Sequence, residues 1–128
     1  MEKVTGIGGI FFKARHPGRL GDWYQKHLGL EIKDGCADFH WRAADRPEQK
    51  GRTVWSAFPS DSDYFPSQAM INYRVENLDR MLAQLRQAGI AIEKTETFDY
   101  GRFAWLTDPE GNRIELWEAK TQECRRPA

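Results

Sequence analysis

The feature that most constrains this chain is a repeat. Ile10-Phe11-Phe12-Lys13-Ala14 and Ile71-Asn72-Tyr73-Arg74-Val75 are strand-like runs about 60 positions apart, and each leads into a helical pattern. The first pattern, near Gly18 to His27, carries Leu20, Trp23, Tyr24 and His27 at helical spacing. The second, near Leu78 to Ala88, places Leu78, Met81, Leu82 and Leu85 on one face. Each meets a glycine stop and then an apolar segment, Leu28-Gly29-Leu30 in one half and Ala88-Gly89-Ile90 in the other.

Short strands and turns follow in both halves. The alternation predicts strands over 30–33, 37–42 and 53–58, then over 91–94, 102–107 and 113–117. Ala44 to Arg52 reads as a polar loop, Ser60 to Ser67 as a linker, and Asp108-Pro109-Glu110-Gly111-Asn112 as a tight turn. The expected fold class is therefore α+β, with two tandem βαβββ modules forming one domain. Module one spans about 5–60, module two about 68–118, and 119–128 is expected to be a flexible tail. Each module has one amphipathic helix, which covers one sheet face only. Two copies can form a curved eight-stranded mixed sheet with helices outside and a ligand cup inside.

Composition narrows the partners. The 19 basic and 19 acidic side chains leave no excess charge for nucleic acid or an anionic membrane. No apolar run reaches the roughly 18 residues that cross a bilayer. Met1-Glu2-Lys3 runs straight into a strand-like segment without a secretory h-region, and Cys36 and Cys124 stand in no metal-like spacing. These features predict a cytoplasmic protein. Aromatic residues make up 12% of the chain, which suits strands and the walls of an apolar pocket.

The helix with Trp23-Tyr24, the Leu28-Gly29-Leu30 stop and the closing run Thr107-Asp108-Pro109-Glu110-Gly111-Asn112-Arg113-Ile114-Glu115-Leu116-Trp117 together resemble the vicinal oxygen chelate superfamily. That superfamily includes glyoxalase I, bleomycin-resistance proteins and extradiol dioxygenases. The resemblance covers about residues 5 to 118. It implies a divalent metal held by residues on the first and last strands of both modules. Glu115 matches the carboxylate ligand, whereas the other positions align with Gly9, Met70 and Trp55. Glu115 is the only matching ligand, and one carboxylate is too few donors for a transition metal. No cofactor is therefore expected. His40 is the one strand histidine able to join Glu115; His16 and His27 fall in or near the first helix. The resemblance further implies a homodimer.

Strand alternation assigns the inward side chains. Phe11, Trp55, Asn72, Arg74, Glu115 and Trp117 are expected in the cup, with His40 and Arg42 facing it and Arg102 at its mouth beside Tyr100. In a functional reading Arg74 binds an anionic or carbonyl oxygen of a small organic molecule, with Glu115 and His40 as acid and base. In the plainer reading Arg74 and Glu115 form an ion pair where a metal would sit, and His40 is a hydrogen-bonded strand residue. Tyr64 and Phe65 are expected to pack at a module or subunit junction, and Trp23, Tyr24 and Trp105 in the core. Gly6-Ile7-Gly8-Gly9 precedes a strand and is no phosphate cradle. The functional alternatives are a metal-free binding protein, a metal-dependent lyase, isomerase or dioxygenase, and a domain whose cup is filled by its own aromatics.

Overall fold

A computed structural model describes residues 1–120. Seven strands and two helices follow one another as β1 (Val4–Ala14), α1 (Pro17–Leu28), β2 (Cys36–Arg42), β3 (Lys50–Pro59), β4 (Ala69–Val75), α2 (Leu78–Gln87), β5 (Lys94–Phe98), β6 (Gly101–Thr107) and β7 (Arg113–Ala119). The strands form a single mixed sheet in the order β2-β3-β1-β4-β7-β6-β5. β3 runs parallel to β1, β7 runs parallel to β4, and β1 and β4 are antiparallel at the centre. No helix among the described residues is long and apolar enough to cross a membrane.

Both helices begin and end where local chemistry directs. Pro17 opens α1, where its missing N–H costs nothing, and Gly29 closes it at φ 73. Asn77 caps α2, its side chain accepting from the Arg80 N–H at 3.0 Å. The buried faces follow the helical period. Leu78, Met81 and Leu82 pack with Val75, Ala104, Leu106 and Leu116 on one side of the sheet. Leu20 and Tyr24 of α1 pack over Ala37, Trp55 and Ala57. A third cluster, including Phe11, Phe58, Met70, Phe103, Trp105 and Trp117, fills the helix-free face.

The expected eighth strand is absent among the described residues. Residues 30–33 make only an isolated bridge, Lys33 to Cys36, across a tight turn with Asp34 and Gly35 both at positive φ. Leu30 and Ile32 are used in packing beside α1 instead of in a ladder. The next strand after α2 also lies later than expected. Ile92 packs into the α2-side cluster, and pairing starts with Lys94 opposite Trp105. Its polar, β-branched Thr95 and Thr97 suit a sheet edge. The linker is no surface strap, since Phe65 is fully buried and Tyr64 stacks on Phe58. Ala119, expected in the tail, is the last residue of β7; residues 121–128 lie outside the described residues.

Candidate functional site

The glycine run of β1 explains where a site can form. A bulge lies between Ile7 and Gly9, and the side chains of Asn72 and Arg74 lie over Gly8 while the Phe11 ring lies over Gly9. A Cβ on Gly8 would stand 2.2 Å from Asn72 Oδ1 and 3.0 Å from Arg74 Cδ. Only glycine lets those two side chains lie over β1. The ladder then sets one row across the sheet: Val54, Gly9, Asn72, Glu115 and Trp105 are successive partners on β3, β1, β4, β7 and β6.

Glu115 sits in this row with no solvent exposure. Its Oε1 accepts from Asn72 Nδ2 at 2.6 Å, and its Oε2 accepts from Trp105 Nε1 at 2.8 Å and from the Tyr64 hydroxyl. Burial pushes its carboxyl above the usual carboxylate range, against the pull of those three donors. Burial first, and then the carboxylate, push the Tyr64 phenol far up, so it stays protonated and donates. The other end of the Asn72 amide, Oδ1, is buried with no hydrogen-bond partner among the described residues.

Beside this row lies a cationic corner. The Arg74 guanidinium sits 4.9 Å from the Trp117 ring centroid, and that of Arg52 sits 5.6 Å from it. Trp117 is held in place: its Nε1 donates to the Tyr100 carbonyl at 3.1 Å, and its ring stacks on Phe103 at 10°. Arg52 is 1% exposed, with Nε 3.9 Å from Asp38 Oδ1. Burial, and then the nearby Arg52 charge, lower the Arg74 pKa. The Arg74–Glu115 ion pair of the plainer reading does not occur among the described ion pairs; Asn72, Tyr64 and Trp105 donate to the two carboxylate oxygens instead.

The structure brings Phe11, Asn72, Arg74, Glu115 and Trp117 onto the helix-free face, as alternation predicts. His40 and Arg42 share that face by register, yet both are exposed on the outer strand β2. Four strand spacings separate β2 from β7, about 19 Å along the sheet. His40 and Glu115 therefore do not form one acid–base pair. Arg42 instead donates to the Pro47 carbonyl at 3.1 Å in its own loop.

Three expectations are corrected outright. Trp55 lies on the α1 side, 4.9 Å from Tyr24 and 5.8 Å from Phe12, because Val54, not Trp55, is the β3 residue in the Glu115 row. For the same reason Asn72, not Met70, stands opposite Glu115 on β4. Arg102 shares the helix side with Ala104 and Leu106, where it makes a two-pronged bridge to Asp79 of α2 at 3.0 and 2.6 Å. It closes no cup.

Sequence reasoning misses the site roles of Tyr64, Trp105 and Arg52. Tyr64 reaches Glu115 from a linker whose path no periodicity reveals. Trp105 is buried in the core, as expected, but its N–H serves the carboxylate. Arg52, expected at the end of a loop, lies within β3, which already begins at Lys50; the Val54 alternation, extended back two residues, points it inward.

The superfamily's divalent ion does not fit these residues. Among the described residues no group of three His, Cys, Asp or Glu side chains gathers. The row offers one carboxylate and one amide, and the carboxylate already has three donors on it.

Two parallel strand pairs joined through antiparallel central strands, with a buried carboxylate on the last strand, define a glyoxalase-type α+β domain. The sequence profile of the Glyoxalase/Bleomycin resistance protein/Dioxygenase superfamily matches residues 10–116, and the chain belongs to that superfamily. Among solved structures it is similar to methylmalonyl-CoA epimerase from Mycobacterium tuberculosis, at 23% identity and TM-score 0.60, over 93% of this chain and 91% of that one. It is similar to a methylmalonyl-CoA epimerase in complex with methylmalonyl-CoA, at 16% identity and TM-score 0.63, over 90% of this chain and 94% of that one. Catechol 2,3-dioxygenase matches at 24% identity and TM-score 0.62, but 91% of this chain spans only 40% of that protein. At these identities the likeness is one of fold. No curated protein sequence matches the chain.

Proposed function

We propose that this chain holds a small organic molecule against the helix-free face of its sheet, beside Arg74 and Trp117, without the superfamily's divalent metal. The observation that carries the reading is the engagement of Glu115. Its two oxygens accept from Tyr64, Asn72 and Trp105, all supplied by the protein. A metal taking that carboxylate would leave several buried donors unmatched, at about 1–3 kcal/mol each. Binding needs none of that rearrangement. Phe11 and Trp117 provide apolar walls, and Arg74 a polar anchor.

On this reading the two halves act as tandem modules, each a strand, a helix and strands returning beside the first, which together shape a cup around the β1–β4 seam. The similar epimerase seen in complex with methylmalonyl-CoA supports a small-molecule ligand for the fold. The exposed edge of β2, where Phe39 is 49% exposed, favours a homodimer in which a second copy covers it.

Elemental analysis of protein purified without chelators is the first test. Well under one divalent ion per chain is expected; one stoichiometric ion would overturn the metal-free reading. The second is a tryptophan-fluorescence screen against small metabolites, in which Trp117 should report binding. A silent screen would favour a face filled by its own side chains.

A further inference from the structure

We infer that the outer side of α1 carries a second binding site, which takes a small organic phosphate bearing a planar aromatic ring. The phosphate meets Arg15 and Arg19, and the ring lies on Trp23. The site is separate from the corner of Arg74 and Trp117, because Leu20 and Tyr24, which help to line it, pack on the helix side of the sheet.

Charge is the first ground. The chain balances 19 basic against 19 acidic side chains, yet no acid falls between Glu2 and Asp22, a stretch that holds Lys3, Lys13, Arg15 and Arg19. The fold keeps that imbalance local. Arg15, His16 and Arg19 line one hollow of about 550 Å³, and no acidic side chain among the described residues lines it with them. Neither Arg15 nor Arg19 forms an ion pair among the described residues. Their guanidinium edges are left for an added oxyanion, and that planar fork matches a phosphate in two-pronged fashion.

The aromatic wall is the second. Trp23, read from the sequence as a core residue, is 51% exposed, because Leu20 and Tyr24 take the sheet-facing side of α1. It borders the same hollow as the two arginines, so an apolar ring face and two cations open onto one space. A planar ring stacked on the indole covers apolar surface that the fold leaves bare.

Both features are set before a ligand arrives. The Trp23 ring meets Tyr24 edge-on at 5.3 Å and His27 at 5.3 Å, and Tyr24 in turn lies 4.9 Å from the buried Trp55 ring. Pro17, the first residue of α1, fixes the backbone between Arg15 and Arg19. Less freedom is then lost on binding.

Titration calorimetry on the full-length protein tests the site with naphthyl phosphate, naphthol and inorganic phosphate. Naphthyl phosphate should bind at least tenfold tighter than either of the other two. The double substitution Arg15→Gln and Arg19→Gln, at exposed positions, should weaken it tenfold or more and leave naphthol where it was. Trp23→Ala should weaken naphthyl phosphate and leave inorganic phosphate unchanged, and Arg74→Gln should change none of the three. Circular dichroism confirms that each variant is folded, and the wild-type comparison stands without any variant. No binding of naphthyl phosphate, an affinity no better than that of naphthol, or undiminished affinity in the folded double variant would overturn the site. Affinity lost in Arg74→Gln but kept in the double variant would overturn it too, while supporting a ligand on the helix-free face, so the two sites fail separately.

Discussion

Replacing Glu115 by Gln tests the buried network most directly, because it keeps the shape and changes only what the two oxygens can do. The Oε1 position still accepts from Asn72 Nδ2. The Oε2 position becomes an amide N–H, which faces Trp105 Nε1 and the Tyr64 hydroxyl. Tyr64 can turn its hydroxyl and accept, but the indole N–H can only donate. One buried donor is orphaned, which costs about 2 kcal/mol. For a chain of 128 residues that corresponds to a fall in Tm of roughly 6–10 °C.

The pH dependence gives a second handle on the same variant. Burial raises the folded pKa of Glu115 above its ordinary 4.5, so the folded protein keeps a proton that the unfolded chain releases. That contribution to stability is complete below about pH 4.5 and is lost as pH rises through the folded pKa. Gln does not titrate. Urea unfolding of both proteins, followed by tryptophan fluorescence from pH 5 to 8, should show the stability gap narrowing as pH rises. A gap that widens with pH would mean that the three donors outweigh burial and that the folded state favours the carboxylate. The assignment of Glu115 as a group driven toward its neutral form would then be refuted.

Other substitutions separate positions that matter from positions that only look important. Gly8→Ala should destabilise the fold by about 1–3 kcal/mol in urea unfolding, since its Cβ meets Asn72 Oδ1 and the Arg74 stem; unchanged stability would mean the bulge is not required. Asn77→Ala should lose about 1 kcal/mol through the α2 cap, visible as a lower denaturation midpoint with unchanged slope. Arg102→Ala should leave ligand affinity at the Arg74 corner unchanged in calorimetry, because its guanidinium is committed to Asp79 on the helix side; a clear loss of affinity would restore Arg102 to the site.

Both helices, their caps and most strands follow from patterns that short stretches of chain carry. Leu78, Met81, Leu82 and Leu85 line one helical face whatever surrounds them, and Gly29 and Gly89 supply the positive φ that ends each helix. The inward set Asn72, Arg74, Glu115 and Trp117 is equally legible, because a strand's two-residue period allows only two choices and the apolar alternates decide between them.

What the chain by itself leaves undetermined is which residues stand beside one another across strands. A one-residue offset exchanges Trp55 for Val54, and it carries a wall of the expected cup to the opposite face. The same uncertainty conceals the partners of Glu115. Asn72 arrives from the neighbouring strand, Trp105 from the next one, and Tyr64 from a linker with no periodicity of its own. Local propensity sets the elements because it acts through adjacent residues. Register and burial are set by pairing and packing between residues far apart in the chain, and those alone turn an isolated carboxylate and two arginines into a defined site.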